Sequence, residues 1–565
     1  MTFRPQGLLV AILTIFLCNT VLFAQIDEAK QAIEDGDFVR AVSILSESLA
    51  SRPSADAYLY LGIAYGNMKE FQKAEDTLKE GSNRFSDDVR FHNELAGLYL
   101  AMKEIDKAKD ELRQALTVDS ANNYASDLLA SIDISEGGIE TALRYWNKSD
   151  QPVVDQILHN SFRTFGSWLV KDAIAFRSSR VLEYDQWKTT EARLFQTDNF
   201  VNVGLEVEPT RIPDRYNAIV RTTSKTNLIS DAFWNLFKGT PYATSYLDVW
   251  NIGNSGLNWN SFYRWDHDRH RFDTKLYIPI PFPGILHMSV SEVWRSERWD
   301  MTKSIRTEFV DEGRRVAYRS NGMLLSLKHI PHYRFEIEGG LEYVNRYAQG
   351  DLPQLATNNL NLGQLLLGSS IRIANGVYKN RLNLIGFASR QSILGNFDFT
   401  GGTAELNNRL TISTEDQVYL DWSLKGGTIR GIGGVLPMEQ YFVLGLDRHP
   451  PNLLRGHTVA DHGRYGEGPA GTDFVLGNLD IEHRIVTIPM FNTFNLPYLV
   501  IKAEAFLDTA KSWDRTRIFK NTELLVDTGA GLRFETPTSS FNVLYGRNLR
   551  DGNSIVFGFV ERRLW

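Results

Sequence analysis

Residues 501–508 read IKAEAFLD and residues 417–426 read QVYLDWSLKG. In the first, Ile501, Ala503, Ala505 and Leu507 alternate with Lys502, Glu504 and Asp508. In the second, Val418, Leu420, Trp422 and Leu424 alternate with Tyr419, Asp421, Ser423 and Lys425. FDTKLYI (272–278) and FEIEGGLEY (335–343) do the same, setting Phe272, Leu276, Ile278, Phe335, Ile337, Leu341 and Tyr343 against charged neighbours. A period of two puts successive side chains on opposite faces of a strand, so these are strands with one apolar and one charged face. Such strands fit either a soluble sandwich, apolar faces meeting in a core, or a membrane barrel with apolar side chains outward and polar ones toward the lumen. The terminal strand SIVFGFVERRLW (554–565) places Phe557, Phe559 and Trp565 in one phase and ends on an aromatic, as outer-membrane barrels do. Residues 227–565 therefore read as a transmembrane antiparallel β-barrel, with room for about 16 strands at roughly 9–11 residues each.

Composition agrees. The 565 residues carry 61 Lys and Arg against 68 Asp and Glu, a net charge of −7, which lacks the basic excess of a nucleic-acid binder. A mean hydropathy of −0.27 excludes a bundle of apolar helices. Yet aromatics reach 12% and there are 43 glycines, high for a soluble helical protein and ordinary for a barrel. At the N-terminus, residues 1–24 read as a secretory signal: Arg4 is the only charge, Gly7–Leu17 is apolar, and Leu22-Phe23-Ala24 offers a cleavage end. Cys18 is the only cysteine, and bulky Leu17 before it argues against lipidation. Cleavage after Ala24 leaves no cysteine for disulfides, thiolate chemistry or metal ligation. The expected compartment is the outer membrane of a Gram-negative bacterium, with the N-terminal domains periplasmic.

Residues 25–150 repeat with a period of 33 to 34. Ala41, Ala74, Ala108 and Ala142 share one phase; Phe38, Phe71, Ile105 and Ile139 precede them by three, and Leu45, Leu78, Leu112 and Trp146 follow by four. Gly62, Ala96 and Ala130 share a second phase, as do Tyr65 and Tyr99. Small residues at fixed phase let paired helices approach, and large ones fill the gaps between hairpins. AYLYLGIAYGNMKEFQKAEDTL (57–78) resembles the tetratricopeptide (TPR) repeat, which implies an all-α solenoid with a concave face for peptides or partner proteins.

Residues 151–166 read as a capping helix or linker, and 167–226 as a small α+β domain. SWLVKDAIAF (167–176) is expected as its first strand, EYDQWKTTEARLFQ (183–196) as a helix, FVNVGLEVEP (200–209) and NAIVRTTS (217–224) as strands. TEARLFQTDNFVNVGLEVEP resembles a POTRA domain, although the glycine usual after the first strand is absent around Phe176–Ser179.

Three further stretches go beyond barrel texture: MEQYFVLGLDRHPPNLLRGH (438–457) leading into GPAGTDFVLGNLDIEHRI, then AEAFLDTAKSW (503–513), then DTGAGLRFETP (527–537). Their order and spacing resemble the BamA-type outer-membrane assembly and translocation superfamily, the bacterial surface antigen family, over residues 160–565. The resemblance implies a loop folded back into the lumen, its arginine falling on Arg455 with Gly456 beside it and its acidic partners on Glu482 and Asp508. Alternation independently turns both acids toward the lumen, since Glu482 shares phase with Asn478, Asp480 and Arg484, and Asp508 with Lys502 and Glu504. His457 stands where the family has an aromatic after the glycine, and Ala510 where it has a glycine two residues after the aspartate.

The resemblance further implies a biogenesis factor that inserts or translocates polypeptide. Its periplasmic TPR and POTRA-like domains would receive client polypeptides or other periplasmic and outer-membrane proteins, and its barrel would sit in outer-membrane lipid. The alternative is a channel or exporter for one cargo, docked to a periplasmic complex through the repeats. His267 and His270 in DHDRHR, and His457 with His462, match no metal-site spacing. With no G-x-S-x-G, P-loop or H-E-x-x-H motif either, no enzymatic activity, catalytic residue, metal or cofactor is expected.

Overall fold

The computed structural model describes residues 25–562 except 160–166, 213, most of 226–242, 268, parts of 301–314, 350–359, 375–377, 392–394, 434–435, parts of 446–467, 490–497, 536–538 and 553. The expected signal (1–24) and Trp565 lie outside the described residues. The chain divides into two compact units. One runs to Ile157 and includes Arg177–Tyr184 and Leu205–Ala218; the other takes Leu158–Phe176, Asp185–Gly204 and Ile219–Trp565.

The first unit opens with helices: α1 (25–34), α2 (Phe38–Ser51), α3 (Ala55–Asn67), α4 (Phe71–Arg84), α5 (Arg90–Ala101), α6 (Ile105–Val118), α7 (Asn123–Ser135) and α8 (Ile139–Trp146). Side-chain caps start several of them: Asp37, Ser54 and Asn122 each accept a backbone N–H three residues on. The phased alanines Ala41, Ala74, Ala108 and Ala142 are all fully buried. Leu45, Leu78, Leu112 and Trp146, four residues later, are buried beside them. A Cβ on Gly62 would stand 2.5 Å from the Leu78 side chain, so glycine there sets how closely α3 lies on α4. At the end of the run Trp146 packs on Tyr216 with ring centroids 5.0 Å apart, and Asn147 donates to the carbonyls of Gln151 and Leu182.

The segment that follows departs from expectation at its start. SWLVKDAIAF is not a strand: Ser167–Ala173 is helix α9, and the edge strand is β1 (Val153–His159), inside the stretch read as a linker. The apolar run Trp168-Leu169-Val170 carries no period long enough to separate helix from strand, and tertiary packing decides, with Leu169, Val170 and Ala173 all buried. Helix α10 (Tyr184–Gln196) and strands β2 (Phe200–Pro209) and β3 (Arg215–Ser224) fall where the pattern puts them, and the sheet order is β1–β3–β2.

In the second unit, α10 and the loop after it meet short turns of the barrel. Arg193 Nε donates to Ile330 O at 2.9 Å and Nη2 to Pro331 O at 3.2 Å. Asn199 donates to Gly256 O at 2.8 Å, and Asn258 donates to Thr197 O at 2.6 Å.

The rest is a closed barrel. Its long strands are β4 (Thr244–Ile252), β5 (Leu257–Asp266), β6 (Arg269–Ile280), β7 (Leu286–Asp300), β8 (Arg315–His332), β9 (Phe335–Gln349), β10 (Leu360–Ala374), β11 (Tyr378–Ser389), β12 (Phe399–Ser413) and β13 (Val418–Gly431). Four two-residue strands follow in the next loop: β14 (Phe442–Val443), β15 (Ala460–Asp461), β16 (Arg464–Tyr465) and β17 (Ala470–Gly471). Then come β18 (Asp473–Pro489), β19 (Tyr498–Trp513), β20 (Leu525–Glu535), β21 (Ser539–Asn548) and β22 (Ser554–Arg562). The described residues thus hold fifteen long strands against the expected 16, with β22 beside β4 and residues 226–242, just before β4, mostly outside the description. Phe557 and Phe559 lie in β22, their backbones opposite Leu544 and Asn542.

The inside-outside assignment follows the alternation. Trp422, Leu424, Leu341, Tyr343 and Leu507 are exposed on the outer face, while Lys502, Glu504, Asp508, Glu336 and Arg346 are buried on the inner one. This inverts the soluble rule and is the pattern of a wall with an apolar exterior.

Candidate functional site: a loop pinned inside the barrel

The longest connection, between β13 and β18, carries the buried polar site. Leu454 is fully buried against Leu444, Phe474, Leu476, Ala510 and Leu525, which seats the segment on the inner faces of β18, β19 and β20. Arg455 follows, 2% exposed. Its backbone N–H donates to Asp508 Oδ2 at 2.8 Å, its Nε to the same oxygen at 2.9 Å, and its Nη2 to Oδ1 at 2.6 Å. Nη1 reaches Glu504 at 3.1 Å and also pairs with Asp480. Beneath the guanidinium lies the Phe506 ring, 3.7 Å from its centroid, adding a cation–π contact on a desolvated face. Burial by itself would lower the Arg455 pKa, but Asp508 and Asp480 outweigh it and hold the group above its ordinary value, so it stays cationic.

Gly456 and His457 fasten the next residues to β20. The Gly456 N–H donates to Asp527 Oδ2 at 2.6 Å, and His457 Nδ1 lies 3.0 Å from that oxygen. Asn548 holds the other imidazole nitrogen at 2.9 Å. A Cβ on Gly456 would stand 2.6 Å from Asp527 Cγ and 2.7 Å from the Asn548 backbone nitrogen, so close approach requires glycine here.

Of the two acids expected beside the arginine, Asp508 pairs with Arg455 and Glu482 does not. Glu482 makes no hydrogen bond or ion pair with Arg455; it is buried in a neighbouring cluster, with Lys502 at 3.3 Å, Arg533 at 3.1 Å and Arg409 at 3.7 Å. Register supplies the reason. Asn478 faces Asp508 across β18–β19, Asp480 faces Phe506, and Glu482 faces Glu504. An arginine centred on Asp508 and Phe506 reaches Asp480, one pleat nearer, while the Glu482 oxygens already serve three cations. The missed members Asp480, Glu504 and Asp527 share the inward phase with the named acids, but phase alone cannot rank residues on one face.

A second attachment was not legible in the sequence. In a 3₁₀ turn at Met438–Gln440, Glu439 pairs with Arg346 of β9 at 2.6 Å, both side chains almost wholly buried. The Arg346 guanidinium also lies 5.8 Å from the Tyr318 ring and 5.6 Å from that of Phe397. Around it Leu436, Met438 and Tyr441 pack with Trp299, Phe399 and Phe519 into an apolar cluster. The same connection is thus held by ion pairs to β9 and to β18–β19. Among the described residues no group of three or more metal-ligand side chains occurs; His267 and His270 are exposed, and His462 lies outside the described residues.

No family model matches the sequence. No curated protein matches it either. Solved structures do resemble it. CdiB from Escherichia coli aligns over 73% of this chain and 76% of its own, at 13% identity and a TM-score of 0.52. CdiB from Acinetobacter baumannii aligns over 83% and 86%, at 12% identity and 0.50. BamA from Haemophilus ducreyi lacking POTRA domains 1–3 aligns over 72% and 84%, at 10% identity and 0.44. In fold, then, the chain is similar to the CdiB barrels.

Proposed function

We propose that the chain is a non-enzymatic outer-membrane factor that inserts polypeptide into that membrane or translocates it across. The observation that carries this reading is Arg455 pinned to Asp508 inside a closed barrel whose outer face is apolar. It falls at the motif positions that resemble the BamA-type superfamily, and the CdiB-like fold supports the same class. The helices of residues 25–146 act as a TPR-like solenoid and the β1–β3–β2 sheet with α10 as a POTRA-like domain, both periplasmic and both receiving clients. An exposed strand edge in such a domain extends a client by backbone pairing, which satisfies the client's own polar groups. The full barrel has about 16 strands.

Depletion of the protein in its host, followed by quantitative proteomics of isolated outer membranes, tests the reading. Broad loss of barrel proteins identifies a general assembly factor. Loss of one or a few proteins identifies a dedicated translocator and names the cargo. An unchanged outer-membrane proteome overturns both.

A further inference from the structure

One feature of the outer wall breaks its apolar pattern. Along the outward face of β7, Leu286, Met288 and Val290 lead to Glu292, followed by Trp294. Glu292 is exposed and makes no hydrogen bond or ion pair with any described residue. In the barrel ladder its neighbours are Thr274 on β6 and Met323 on β8, and one step away Asn321 faces Asn345 on β9. These groups converge on a groove of about 790 Å³. Its polar end is made by Glu292, Asn321 and Asn345, its apolar end by Ile252, Leu276 and Val290, and Tyr343 forms part of its flank. Thr274 is already engaged, accepting from the Trp259 indole at 2.7 Å.

If the barrel spans a membrane, as proposed above, an ionisable side chain between Val290 and Trp294 is costly on a lipid-facing surface and marks a functional position. We propose that this groove binds a phospholipid with a primary-amine headgroup. The ammonium meets the Glu292 carboxylate and the side-chain carbonyls of Asn321 and Asn345, and an acyl chain lies along Leu276 and Val290. Charge selects the class: a carboxylate repels anionic headgroups. Hydrogen bonding narrows it further, because a primary ammonium has three N–H donors and a choline headgroup has none.

The test uses the full chain in nanodiscs of equimolar phosphatidylethanolamine, phosphatidylcholine and phosphatidylglycerol, with retained lipid identified by native mass spectrometry. We expect roughly tenfold enrichment of phosphatidylethanolamine over phosphatidylcholine, the effect of about one charge-assisted hydrogen bond. Glu292→Gln should abolish it, and Leu367→Ala, on the outer face of β10, should leave it unchanged. Equal retention of the three lipids, preference for phosphatidylglycerol, or enrichment that survives Glu292→Gln overturns the proposal. So does a photo-crosslinker at position 323 that captures polypeptide in place of lipid in native membranes. A chain that fails to enter lipid at all refutes the membrane reading instead, so the two failures are separable.

Discussion

The helical repeats and the barrel wall obey one rule with opposite geometry. In the repeats, Ala74, Leu78, Phe91 and Leu95 are buried together, and charged pairs such as Arg40–Glu28 at 2.6 Å stay on the surface. In the barrel, Leu341, Leu367 and Leu424 face outward, and the buried polar set includes Arg346, Arg455, Lys502 and Glu504. Apolar side chains gather against one another in the repeats and line the outer face of the wall, while charged ones take the opposite side in each. Consequently the repeats are held by volume and the barrel interior by charge balance. A methylene matters in one, an unpaired carboxylate in the other.

The sharpest test of that difference is Asp508→Ala. It leaves Arg455 buried without its bidentate partner, and breaking such a pair costs about 3–5 kcal/mol. Heat-modifiable gel mobility and a urea midpoint in vesicles should both show the loss; native-like values would remove the charge-balance account of the interior. Next in size is Leu78→Ala. It empties a site packed against Gly62 and should cost about 2–5 kcal/mol of helical stability, read by far-ultraviolet circular dichroism. Leu367→Arg probes the other face: placing a cation on the outer wall should cost roughly 2–4 kcal/mol in lipid vesicles, and no measurable loss would mean that this face is not in lipid. Smallest is Arg40→Ala in the repeats, where an exposed pair is worth about 0–1 kcal/mol and thermal melts should barely move.

How far the sequence reached differs by element. Repeat phase was readable from Ala41, Ala74, Ala108 and Ala142, because each helix hairpin sees the same neighbour and reports it at a fixed spacing. Inward and outward faces were readable in β9, β13 and β19, since strand period is two whatever the partner. The start of the small domain was not. Ser167–Ala173 is too short and too apolar for period to choose between helix and strand, and β1, reading VVDQILH, sets its apolar residues in adjacent pairs and so lacks the alternation that marks a strand.

At the pinned loop, the motif led to Arg455, Gly456 and Asp508, and the residues alternation turns inward, Glu482, Lys502, Glu504 and Asp508, are buried. Which carboxylate completes the site depended on register: Asp480 stands opposite Phe506, under the guanidinium, and Glu482 is already shared by Lys502, Arg533 and Arg409. Glu439 and Arg346, 93 positions apart, had no shared motif to connect them. What is local could be read along the chain: helix phase, strand face, the arginine of the pinned loop, and the excess of charge on one side of the strands. Which charge meets which had to come from the folded chain, because partners on a barrel wall are chosen by stagger between strands and by the path of a long loop. Neither quantity is written in the spacing of any one segment.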